Sequence, residues 1–105
     1  MEHFDNIRNW AQDRNIIDGS TPKAQMVKLM EEIGELASAI SKDNFEEIID
    51  SIGDAAVVLT VIAEQYGLKI EYCIGCAYES IKDRKGKMVN GVFVKEQDLV
   101  GITNE

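Results

Sequence analysis

Between Pro22 and Gly67 apolar residues recur every three or four positions, and one short polar break at residues 41–44 interrupts them. This spacing puts apolar side chains on one face of an α-helix, because about 3.6 residues complete a turn. Two long amphipathic helices joined by a tight reversal are therefore the frame that the rest of the chain must fit. In the first, Thr21 suits the N-cap and Pro22 the first helical position, where a missing N–H costs nothing. Met26, Leu29, Met30, Ile33, Leu36, Ala37 and Ile40 then form a core-facing stripe that runs to about Ser41. In the second, Asp43 or Asn44 caps the start, and Phe45, Ile48, Ile49, Ile52, Ala56, Leu59, Ala63 and Tyr66 form the seam until Gly67 stops it.

The flanks add two shorter helices. Phe4, Ile7, Trp10 and Ala11 predict one over about residues 2–14, ending before Asp18-Gly19. Ile70, Cys73, Ile74, Ala77 and Ile81 predict another over about 70–84, with Gly86 as its stop. In Met88-Val89-Asn90-Gly91-Val92-Phe93-Val94 an Asn-Gly pair separates two apolar runs, a strong hairpin signal. The polar remainder, 95–105, reads as an extended or frayed tail. The expected fold is all-α: an antiparallel four-helix bundle with a short C-terminal β-hairpin, forming a single domain over 1–105. Its helical core covers about 2–86, with hairpin and tail over 87–105. A core of this size is modest, and the seam helix carries apolar residues off its main face, so self-association is expected.

Charge narrows the function classes. Nineteen acidic residues against 11 basic ones give a net charge of -8, which opposes general binding to a phosphate backbone. The longest apolar stretch, 55–63, is broken by Thr60 and falls far short of the roughly 20 residues of a membrane span. The start, Met1-Glu2-His3-Phe4-Asp5, lacks the basic and apolar regions of a signal peptide, so a cytosolic location with reduced cysteines is expected. Cys73-Ile74-Gly75-Cys76 has no second ligand pair to complete a zinc site, and its thiols are expected in the core. The chain has one histidine, His3, and no Walker or GxGxxG motif.

Two acidic stripes carry the chemistry. Glu32 and Glu35 are helical neighbours, Glu31 lies four before Glu35, and Gln25 and Lys28 continue the stripe backwards. Glu47, Asp50 and Asp54 fall within about 60° of one another around the next helix and point away from its apolar seam. Val57, Val58 and Val61 continue that line, so the stripe runs into a covered region. Acidic helix faces ordinarily serve solvation, but carboxylates gathered under cover repel unless cations neutralise them. Hard divalent cations such as Mg²⁺ suit oxygen clusters of this kind and bring phosphate-bearing substrates with them.

Lys28-Leu29-Met30-Glu31-Glu32-Ile33-Gly34-Glu35-Leu36, followed by Asp50-Ser51-Ile52-Gly53-Asp54, resembles the MazG-type all-α nucleoside triphosphate pyrophosphohydrolases, with their EExxE and ExxD segments. The resemblance spans roughly residues 20–86 and implies Mg²⁺-dependent hydrolysis of (deoxy)nucleoside triphosphates to monophosphate and pyrophosphate by a dimer or tetramer. It implies Glu32, Glu35 and Asp54 as metal ligands, with Mn²⁺ as an alternative ion. Where the family has its second-helix glutamate this chain has Ser51, and Asp50 is the stand-in, with Glu47 behind it. Glu31 or Glu35 is the candidate to deprotonate the attacking water. Gln25 and Lys28 reach phosphate or base, and Lys82, Arg84 and Lys85 lie in a basic run suited either to a helix C-terminus or to a phosphate clamp. Trp10 and Tyr78 are core residues or stacking platforms. Two other readings stay open: a non-catalytic acidic association module, and a related pyrophosphohydrolase for dUTP, dCTP or phosphoribosyl-ATP.

Overall fold

Three left-handed residues, Asn15, Asp43 and Asn90, mark reversals of the chain. The computed structural model describes residues 2–99. Helices α1 (Glu2–Asp13), α2 (Ile16–Gly19), α3 (Pro22–Ser41), α4 (Phe45–Gln65) and α5 (Ile70–Ile81) precede strands β1 (Gly86–Val89) and β2 (Val92–Lys95) and a 3-10 turn, Glu96–Asp98. The described chain is thus mostly helical with one small antiparallel hairpin. It falls into two compact units, one ending at Cys73 and one beginning at Ile74.

In the first unit the predicted frame is present with its caps. Thr21 Oγ1 accepts a hydrogen bond from the Ala24 N–H at 3.1 Å, and Pro22 follows at the first helical position. Asn44 Oδ1 does the same for the Glu47 N–H at 3.3 Å, so Asn44 rather than Asp43 is the cap. Each such cap contributes about 1 kcal/mol. The chain reverses at residues 42–44, lays α3 back along α4, and packs α1 and α2 against α4 as well. The α2 turn was not expected; it forms within the stretch read as punctuation, once Asn15 (φ 57°) has broken α1.

The apolar stripes do not form this unit's core. Met26, Met30, Ile33 and Ile40 on α3, and Phe45, Ile49, Ile52, Leu59 and Tyr66 on α4, are exposed. The covered positions are Glu32 and Ala39 on α3 and Ser51, Ala55, Val58 and Val61 on α4, mostly small residues that let helices approach closely. The expectation that the α4 acidic stripe runs under cover is met at Val58 and Val61. Thr60 is fully buried, its hydroxyl donating to the Ala56 carbonyl at 2.7 Å.

A buried arginine ties the ends of the unit together. Arg8 donates to Glu71 through Nη1 at 2.6 Å and Nη2 at 2.8 Å, pairs with Asp5, and lies 3.5 Å from Glu64. These bonds hold the Glu71 carboxyl at about 2, below its usual 4.5.

In the second unit, Gly86 pairs with Lys95 and Val89 with Val92. Asn90 (φ 51°) and Gly91 (φ 82°) form the predicted turn, both in the left-handed region that a two-residue hairpin demands. Two expectations are corrected. The last helix ends at Ile81, and Gly86 is a strand residue rather than a helix stop: a Cβ there would lie 2.1 Å from the Val94 carbonyl oxygen. The tail does not begin at Lys95, because the Glu96 N–H bonds the Lys85 carbonyl at 2.8 Å and Leu99 is buried; residues 100–105 lie outside the described region. The cysteines, expected in the core, are half-buried at Cys73 and exposed at Cys76. Among the described residues no helix is long and apolar enough to cross a membrane.

The depressed Glu71 carboxyl makes a prediction. A group whose folded pKa lies below its unfolded value stabilises fully above the unfolded value and loses that contribution as pH falls through the folded one. Stability from the Arg8–Glu71 pair is therefore complete above about pH 4.5 and lost toward about pH 2. In thermal melts across this range, Glu71→Gln should start less stable at neutral pH and show a shallower acid decline.

Candidate functional site

The buried stripe of α3 and the acidic side of α4 meet at three carboxylates. Oxygens of Glu32, Glu35 and Asp54 all lie within 4.8 Å of one another. Thr21 and Asn44, by fixing the starts of α3 and α4, set which residues face each other across the hairpin. Glu32 is 5% exposed, Asp54 is half-buried, and Glu35 is open to solvent. One end of Glu32 is satisfied, with Oε1 3.2 Å from Lys28 Nζ. Its other oxygen, Oε2, is buried without a hydrogen-bond partner.

The electrostatics follow from this crowding. The Glu32 charge, then burial, then Asp54 push the Glu35 carboxyl above its usual value. Burial first, then the charges of Asp50 and Glu32, push Asp54 upward as well. The hydrogen bond to Glu32 holds Lys28 protonated beyond its ordinary range. An unpartnered buried oxygen amid mutually repelling carboxylates is the donor set a hard cation takes, so these residues fit a divalent metal.

Other residues singled out from the sequence have mixed placements. Asp50 lies close enough to Asp54 to raise it, and with Glu35, Glu47, Ser38 and Ser51 lines a depression of about 210 Å³ beside the cluster. Ser51, at the place of the family's missing glutamate, is 4% exposed. The Glu31 carboxylate is outside the trio and exposed, 3.8 Å from Lys28. Gln25 donates to Ser20 Oγ at 3.0 Å. Lys82, Arg84 and Lys85 belong to the second unit: Lys82 pairs with Glu79 at 2.7 Å, while Arg84 and Lys85 line a cavity of about 330 Å³ with Lys95. Tyr78 is exposed there.

The sequence reading missed a groove between α1 and α4. Phe4, Ile7 and Trp10 face Ile49, Asp54 and Val57 across a cavity of about 840 Å³ with mainly apolar walls. The α1 spacing had announced an apolar face; what it faces is this groove, since the buried residues of α1 are Arg8 and Ala11.

Residues 20–89 match the family model of the MazG nucleotide pyrophosphohydrolase domain, and the chain belongs to that family. It is 52% identical over 60 residues to an uncharacterized 18.2 kDa protein from the rep-hol intergenic region of Haemophilus phage HP1 (strain HP1c1), covering 57% of this chain and 37% of the phage protein. It is 31% identical over 52 residues to an uncharacterized protein of Acanthamoeba polyphaga mimivirus, covering 50% of this chain and 21% of that protein. The chain thus spans well under half the length of these curated relatives. No solved structure matches it significantly.

Carboxyls raised above their unfolded values cost stability once pH exceeds the folded value, and the cost fades as pH falls. Without divalent metal, Asp54→Asn should therefore melt a few degrees higher than the parent protein at pH 7, and the gap should narrow on acidification. Melts in chelator across pH 4–7 read this directly.

Proposed function

We propose that this chain hydrolyses (deoxy)nucleoside triphosphates to the monophosphate and pyrophosphate with a divalent cation, Mg²⁺ or Mn²⁺, held at the Glu32/Glu35/Asp54 cluster. The observation that carries the reading is the convergence of three carboxylates within 4.8 Å around a buried, unpartnered Glu32 oxygen. Membership of a nucleotide pyrophosphohydrolase family supports the reaction class.

Glu32, Glu35 and Asp54 hold the cation, and Asp50 beside Asp54 takes the part that Ser51 has no charge to play. The bound ion offsets phosphate charge and lowers the pKa of a water. Glu35, the open member of the trio, has a carboxyl raised toward the working range of a general base and accepts the water proton. Glu31 is the alternative base, exposed and close to Lys28. The water oxygen bonds to the α-phosphorus, and pyrophosphate leaves with the bridging oxygen. Lys28, kept protonated by Glu32, presents its charge to the phosphates.

The exposed apolar faces of α3 and α4 belong in a homo-oligomer, where a second copy covers them and completes a four-helix bundle. By sedimentation the protein should run as a dimer or tetramer, and Met30→Glu with Ile33→Glu should shift it toward monomer.

The decisive assay is pyrophosphate release from a panel of ribo- and deoxynucleotides, including dUTP and dCTP, with and without Mg²⁺. Release should require the metal, and Asp54→Asn should lower it by roughly 100-fold or more while retaining the oligomer. Mg²⁺ should raise the melting temperature of the parent protein but not of Asp54→Asn. Silence across the panel would leave the acidic association module as the better reading.

A further inference from the structure

We propose that the groove between α1 and α4 is the base subsite, and that α1 supplies the wall that selects the nucleotide. This rests on the reading of the carboxylate cluster as the phosphate-handling centre.

Continuity is the first argument. Asp54 is a member of the cluster and also lines the groove, as does its neighbour Asp50. In a nucleotide one sugar separates the base from the α-phosphate, so a base subsite must adjoin the place where that phosphate is handled. The second argument is chemistry. A base offers two apolar faces and a polar edge. The groove offers Phe4, Ile7 and Trp10 against Ile49 and Val57, with Asn6 as an amide able to donate and accept at an edge. At about 840 Å³ it has ample room for a nucleoside.

Trp10 is suited to be the platform. Its ring carries the Arg14 guanidinium 4.8 Å from its centroid, and Arg14 Nη1 also donates to the Trp10 carbonyl at 3.1 Å, so the side chain is steadied before anything binds. A base stacks on such a ring with little sequence preference, which leaves discrimination to the edge contacts of Asn6. Moreover, α1 lies entirely outside the 20–89 segment that matches the family domain. Base choice would thus reside in a segment separate from the one that performs the chemistry.

Trp10 is the sole tryptophan of the chain, so its fluorescence reports on the groove alone. The experiment titrates the full chain, with Mg²⁺, with a non-hydrolysable α,β-methylene nucleoside triphosphate and, separately, with inorganic tripolyphosphate. Saturable quenching by the nucleotide but not by tripolyphosphate is expected. By calorimetry, Phe4→Ala should weaken nucleotide binding roughly tenfold and leave the tripolyphosphate Kd unchanged. Asn6→Ala should narrow the affinity differences among bases, a change that a merely structural role for α1 would not produce. Equal quenching by both ligands, or none by any nucleotide, overturns the base subsite. So does an emission shift that tracks protein concentration and ignores nucleotide, because a second copy then fills the groove. If Mg²⁺ fails to shift the melting temperature while the nucleotide still quenches Trp10, the metal reading falls and the groove assignment stands.

Discussion

A carboxylate in the contact between two helices is an expensive thing to keep, and Glu32 is that carboxylate here. Buried charge is tolerated only when something of opposite sign is at hand. Lys28, one turn earlier on the same helix, answers for one oxygen and leaves the other without a partner. That half-satisfied group organises its surroundings. It raises Glu35, contributes to raising Asp54, and makes the junction of α3 and α4 a place where a cation lowers the energy of the fold instead of merely decorating it.

The first unit is inverted with respect to hydropathy. The face of α3 richest in Met and Ile looks outward, while the covered positions include a glutamate and a serine. Hydrophobic burial is the dominant favourable term in folding, so a large apolar surface left open marks a protein that completes its core by association. What the single chain closes within itself is the part that must be geometrically exact for ion binding.

How much of this could be seen in the chain beforehand varies with the physics involved. Caps and turns are local, so Thr21-Pro22, Asn44 and Asn90-Gly91 were legible and stand where they were placed. The trio was legible because helical spacing fixes neighbours within a helix and the EExxE and ExxD-like segments suggested how the two helices oppose one another. The apolar stripes misled, because amphipathicity identifies a face to be covered and is silent about whether the same chain covers it. Arg8 was invisible for a related reason: its partner Glu71 is 63 residues away, and no local pattern reports that pairing. The α1–α4 groove escaped because Phe4, Ile7 and Trp10 look the same whether they fill a core or line a cavity. Gly86 was misassigned for want of a tertiary fact, the carbonyl of Val94 against its Cα.

The positions between α3 and α4 that lie under cover include Ala39, Ser51 and Ala55, side chains with little bulk and no part in the reaction. Their smallness sets the calibre of the carboxylate trio, since interaxial distance follows the size of what lies between two helices. A methylene or two added at Ala55 would act as a shim, prising the rods apart and stretching the oxygen spacing without touching a single ligand. The dimensions of the centre are thus governed by inert spacers, and drift at those sites would detune the ion before any acidic residue changed.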